Sequence, residues 1–148
     1  MIRMAVRADE RAIRACAERA YAPYVETIGR RPAPMDADYA GQIDRGLVHV
    51  AITASGILEG FIVFEPRGDH MFLENVAVRP EVAGHGTGRA LVAFCEAEAA
   101  RLGLGAVHLY TNARMTANLS LYPHLGYVET ERRQEDGFDR VYFRKRLG

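Results

Sequence analysis

Apolar positions in this chain switch between a two-residue spacing and a helical one, and the switches mark out its elements. Ile2 to Val6 alternates as a strand. Asp9 stands where a helix cap belongs, and Ile13, Cys16, Ala17 and Ala20 repeat at helical spacing until Pro23 disturbs them. Gly29 to Pro34 reads as a loop, and Asp36 or Asp38 starts a short second helix that ends near Gly46. Two strands, Leu47 to Thr53 and Ile57 to Glu65, flank a tight turn at Ala54-Ser55-Gly56. Pro66 to Asp69 then turns the chain into a third strand, His70 to Val78.

The stretch from Leu73 to Leu91, LENVAVRPEVAGHGTGRAL, carries the sharpest change of pattern. A buried strand ends in Val76-Ala77-Val78, and Arg79-Pro80 stops it because proline cannot donate to a sheet ladder. Gly84, Gly86 and Gly88 follow at alternate positions. A helix opens at Arg89, carries Leu91, Cys95, Ala99 and Leu102 on one face, and ends at Gly103 or Gly105. Beyond it come a strand from Ala106 to Thr111, a helix from Thr116 to His124, and a strand from Gly126 to Arg132. A hairpin turn at Glu135-Asp136-Gly137 leads to a last strand, Phe138 to Lys145. The order β-α-α-β-β-β-α-β-α-β-β, without repeat or linker, predicts one α/β domain over residues 1–148.

Composition narrows the partners. With 49% hydrophobic and 26% charged residues the chain is an ordinary globular one, and its formal net charge of zero gives no general field for nucleic acid or an anionic membrane. Eighteen arginines stand against one lysine, Lys145, a usage consistent with a GC-rich bacterial source. Cys16 and Cys95 lie far apart in helical patterns and read as small buried hydrophobes. Neither they nor the five histidines show metal-ligand spacing. The sequence has no signal-peptide pattern and no apolar run long enough to span a membrane, so the expectation is a cytoplasmic protein without metal, nucleic-acid or membrane partners.

A strand, a glycine loop and a helix start, in that order, can bind an anion. The first N–H groups of a helix lack intrahelical partners, the macrodipole adds positive potential, and glycine lets backbone approach a ligand closely. A Walker loop would need a lysine that is absent, and the spacing G-x-G-x-G is not the dinucleotide fingerprint. The segment instead resembles the acyl-CoA loop of the GNAT superfamily of N-acyltransferases, a V-x-V strand followed by [QR]-x-x-G-x-[GA]. Gly86 and Gly88 fall on its two small positions, while Ala83 replaces the usual Gln or Arg. Near the C-terminus MTANLSLYPHLGY resembles the family's helix ending L-Y-x-x-x-G-[FY], through Leu121-Tyr122 and Gly126-Tyr127.

The resemblance covers nearly the whole chain. It implies an α/β (α+β) GNAT-like fold, a mixed, mostly antiparallel sheet with helices on both faces. It also implies acetyl-CoA as cosubstrate, held by the backbone of Val76, Ala77 and Val78 and by Gly84, His85, Gly86, Thr87, Gly88 and Arg89, with an amide near Val78 on the thioester oxygen. Tyr122 takes the role of proton donor to the departing CoA thiolate, and a phenol of pKa near ~10 keeps its proton at neutral pH. The family's usual Asn, seven residues before this tyrosine, is here Met115. Asn118, four residues before it, shares that helix face; it either contacts the pantetheine arm or satisfies local backbone groups. Glu74, on the same strand side as Val76 and Val78, is the candidate general base, or else an edge carboxylate paired with an Arg.

His49, His70, His108 and Tyr110 are strand residues that either line an acceptor cleft or serve the structure. The acceptor, a small-molecule or peptide amine, is set in this family by the region here spanning Tyr21 to Asp44 and by the last hairpin. Arg30 and Arg31 there would attract a carboxylate, and Asp36, Asp38 and Asp44 an amine. Homodimerisation through Phe138, Tyr142 and Phe143 is a further family expectation. Two function classes stay open: an acetyl-CoA-dependent N-acetyltransferase, and a non-catalytic acyl-CoA-binding or sensing module on the same fold.

Overall fold

A computed structural model describes residues 1–148. Its strands are β1 (Ile2–Met4), β2 (Val48–Ile52), β3 (Leu58–Arg67), β4 (His70–Val78), β5 (Ala106–Asn112), β6 (Val128–Glu135) and β7 (Phe138–Arg146). The helices are α1 (Glu10–Ile28), α2 (Tyr39–Asp44), α3 (Thr87–Arg101) and α4 (Thr116–His124). Neighbouring strands are hydrogen-bonded in the order β1-β2-β3-β4-β5-β7-β6. β4 and β5 run parallel, whereas β1 with β2, β2 with β3, β5 with β7 and β6 with β7 are antiparallel. This is the mixed, mostly antiparallel sheet that the family resemblance implies.

Local chemistry explains where boundaries differ from the sequence reading. β1 stops at Met4 because the Asp9 carboxylate draws in the amide of Val6 at 2.8 Å, starting a 3-10 turn at Arg7–Asp9 instead of capping α1. Helix α1 continues through Pro23, which is exposed along with Arg19 one turn back, the residue whose carbonyl the proline leaves without its helical partner. Asp38 caps α2, its Oδ1 accepting from the Gly41 amide at 3.1 Å, while Asp36 closes a 3-10 turn. Gly103 ends α3: it is left-handed at φ 75°, and the amides of Gly103 and Leu104 return to Ala100 and Ala99. β6 continues to Glu135 because Asp136 and Gly137 both take positive φ, the geometry of a two-residue hairpin.

Two compact units are distinguished. The first comprises Met1–Phe64 with Asn75–Phe94. Its core joins Ile13 and Ala17 of α1, Tyr39 of α2, Val48 and Val50 of β2, Phe61 to Val63 of β3 and Leu91 of α3. Tyr39 meets Phe61 edge to face at 5.3 Å. The second comprises Glu65–Glu74 with Cys95–Gly148, and its core includes Met71, Leu73, Cys95, Ala99, Val107, Leu109, Val141 and Phe143. No helix is long and apolar enough to cross a membrane.

Candidate active-site elements

In the first unit, β4 ends at Val78 and a 3-10 turn at Pro80–Val82 leads to the glycine loop. Gly84 (φ 86°) and Gly86 (φ 89°) are both left-handed, and a Cβ at either would stand in open space. A fold bends this way without strain only with glycine. The amide of His85 donates to the Val82 carbonyl at 3.1 Å. The amides of Gly84, Gly86, Thr87, Gly88 and Arg89 reach no protein acceptor. Five N–H groups are thus gathered on a half-exposed to exposed turn at the start of a fifteen-residue helix. Unpartnered amides at a helix start can hold an anion without a basic side chain.

The strand feeding this turn is held by a polar chain. Leu73, Asn75 and Ala77 alternate on the buried side of β4, with Glu74, Val76 and Val78 on the other. The buried Asn75 Nδ2 donates to Tyr39 Oη at 2.8 Å, and Tyr21 Oη lies 2.5 Å from Asn75 Oδ1 and 3.1 Å from the Val76 carbonyl. Tyr39 in turn donates to the Pro34 carbonyl. These residues escaped the motif reading, although an Asn alternating with Leu73 and Ala77 signals a buried amide that requires partners. Gly60 of β3 permits the close approach, since a Cβ there would stand 2.7 Å from the Ala77 carbonyl oxygen.

In the second unit, α4 presents Tyr122. Its ring is buried against Tyr127 (5.7 Å) and Phe143 (5.8 Å). Its hydroxyl makes no hydrogen bond within the protein, yet it is not among the polar atoms sealed from solvent. Burial, and then the neighbouring Cys95, hold this phenol above the ordinary tyrosine range, so it stays protonated. The helix end explains the motif spacing. The Tyr127 amide bonds the Tyr122 carbonyl at 3.0 Å and the Gly126 amide that of Pro123, with Gly126 left-handed at φ 96°. Tyr122, Gly126 and Tyr127 are therefore three positions of one Schellman cap, completed by ring contact across it.

The other candidates have definite surroundings. Asn118 Nδ2 donates to Thr111 Oγ1 at 3.0 Å and lies 3.7 Å from the Met115 sulfur, leaving its carbonyl oxygen uncommitted. Glu74 is half-buried, and its charge acts on Tyr110, whose ring also stacks under Arg140 at 4.3 Å. His49 lies in an aromatic stack with Phe64 and Phe94. His70 and His108 stack on each other. Arg31 pairs with Glu18 and Asp36, Asp44 pairs with Arg7, and Asp38 caps α2, so these charges are engaged within the chain. Phe138 and Phe143 face the core rather than an apolar outer surface. Both cysteines are buried and unbridged, their thiols pushed up to about 12 by burial. No group of three or more His, Cys, Asp or Glu is arranged to hold a metal ion.

Residues 44–129 match the family described as "Acetyltransferase (GNAT) domain". No curated protein sequence matches the chain. Among solved structures, nourseothricin acetyltransferase is 25% identical with a TM-score of 0.64, over 68% of this chain and 65% of its own length, just under two thirds. The ribosomal-protein-S18-alanine N-acetyltransferase from Escherichia coli is 23% identical with a TM-score of 0.79, over 99% of this chain and 93% of that one. PaiA N-acetyltransferase from Thermoplasma acidophilum, solved with coenzyme A, is 18% identical with a TM-score of 0.82, over 99% and 98%. The last two likenesses establish the shared fold.

Proposed function

The chain belongs to the acetyltransferase (GNAT) domain family, whose members are acetyl-CoA-dependent acyltransferases, and we propose that it transfers an acetyl group from acetyl-CoA to a primary amine. The observation that carries this reading is the set of five unbonded amides from Gly84 to Arg89 on a strand-to-helix turn. In the proposed reaction these amides take the CoA pyrophosphate, and the edge of β4 from Val76 to Val78 takes the pantetheine arm. Asn118 offers its free carbonyl oxygen to an amide of that arm. The amine attacks the thioester carbon directly, with the developing oxyanion on a β4 amide near Val78. Glu74 receives the amine proton, directly or through water.

Tyr122 supplies the hydrogen bond to the departing sulfur. Its raised pKa makes it a weaker acid than an ordinary phenol, whereas a thiolate is a good leaving group. Its contribution is therefore stabilisation of developing charge on sulfur rather than complete prior protonation. Family members act on both small molecules and proteins, as the nourseothricin and ribosomal-protein enzymes show by name. The proposed acceptor for this chain is a primary amine.

Two measurements test the reading. Calorimetric titration with CoA is expected to give saturable binding that Gly86→Val weakens by about 100-fold or more, with circular dichroism confirming a folded variant. At φ 89° a branched residue is strained and rearranges the cradle. Unchanged affinity in the folded variant would refute the loop assignment. Thiol release from acetyl-CoA with a panel of primary amines tests turnover; CoA binding without release on any amine would favour a sensing module.

A further inference from the structure

A cleft lies where β4 and β5 begin and β7 ends. It has a volume of about 430 Å³ and is lined by His70, His108, Arg144 and Arg146 together with the Gly103–Ala106 turn and Asp69. The sheet register gathers these side chains. His108 stands opposite Arg144, Ala106 opposite Arg146 and Phe72 opposite His108, so alternation puts His70, His108, Arg144 and Arg146 on one face. The two imidazoles stack at 3.8 Å and 13°. Neither Arg144 nor Arg146 makes an ion pair, although most arginines of this chain do. The one carboxylate at the cleft, Asp69, accepts from His70 Nδ1 at 3.0 Å and leaves the ring's Nε2 unengaged.

We propose that this cleft is a binding site for a small multivalent oxyanion, a phosphate or polycarboxylate group, held by Arg144 and Arg146 and by the stacked His70–His108 pair. Two guanidinium forks match the paired oxygens of such a group. An oxyanion held between the arginines and the imidazoles offsets the like charge that protonation of His108 adds to the cleft. Binding therefore takes up protons and strengthens as pH falls through the imidazole range. The facing charged groups agree with this sign. His108 is held below the ordinary histidine range by burial first, then by His70 and Arg144, with Asp69 opposing. From the β4 side these groups are His70 and Asp69, and from β7 they are Arg144 and Arg146; the Gly103–Ala106 turn contributes none.

The site-specific readout is the imidazole C–H spectrum of the full-length protein, titrated with pyrophosphate or citrate at about pH 6 and about pH 7.5. His85, in the glycine loop, reports separately on anions bound there. The expected result is saturable movement of the His70 and His108 signals, several-fold tighter at the lower pH and weakened by about tenfold or more in Arg144→Gln/Arg146→Gln. Both arginines are exposed, so the double variant keeps its fold. The probe that binds tighter identifies the anion class. Movement confined to His85, equal movement in the double variant, or affinity independent of pH would each overturn the proposal.

Discussion

At the residue scale, Tyr122 combines a buried ring with an unbonded hydroxyl, so Tyr122→Phe removes one atom and little packing. Single-turnover transfer is expected to slow by about 100-fold, the scale for losing one hydrogen bond to developing charge, with CoA affinity nearly unchanged. An unaltered single-turnover rate would make the tyrosine structural. Asn75 is the opposite case, buried and hydrogen-bonded. Asn75→Leu takes one buried hydrogen bond from each of the Tyr21 and Tyr39 hydroxyls, which keep the Val76 and Pro34 carbonyls, and is expected to cost about 1–3 kcal/mol in urea denaturation. His108 carries a pH signature. Its folded pKa lies below the ordinary value, so protonation favours the unfolded chain. Its contribution is complete above about pH 6.5 and is lost as pH falls through the folded pKa. In an anion-free buffer the urea midpoint should drop between about pH 7.5 and pH 5.5, and His108→Gln should flatten that drop.

At the element scale, the Schellman cap of α4 makes Gly126 the support of Tyr122. A Cβ there would be left-handed and 3.2 Å from Lys145 Cε, whose ammonium is tied to Glu96 at 2.9 Å. Gly126→Ala is expected to cost roughly 1–2 kcal/mol by denaturant titration and to lower kcat more than KM, since the cap sets where Tyr122 stands. A variant that loses stability with wild-type kinetics would separate the cap from catalysis. Elements of this kind were legible in the sequence, because β4 and α4 are bounded by Pro80, Gly126 and clean changes of period. The Tyr21–Asn75–Tyr39 chain was not, since its members are 54 and 36 residues apart and meet only after folding. Pro23 misled for a related reason: its penalty depends on which helix face reaches water.

At the scale of the whole molecule, the outer strand β6 is charged and exposed nearly throughout, with Glu129, Glu131, Arg132 and Arg133 in ion pairs. Charge along an edge strand opposes edge-to-edge pairing. With Phe138 and Phe143 turned inward, the hairpin keeps Val128 as its exposed large apolar residue. Light scattering at micromolar concentration is expected to give the mass of a single chain. A dimer mass would require an interface elsewhere than this hairpin.

The buried cysteines have a practical consequence. Product CoA carries a free thiol, and aromatic disulfide reagents detect thiolates. Cys16 and Cys95 are both hidden and held in the neutral form near neutral pH by burial. The native protein should therefore be silent toward such a reagent, so the colour formed during turnover counts product alone. The same two thiols become an internal unfolding clock: their appearance in denaturant measures how often the interior opens, on the very sample whose activity has just been read.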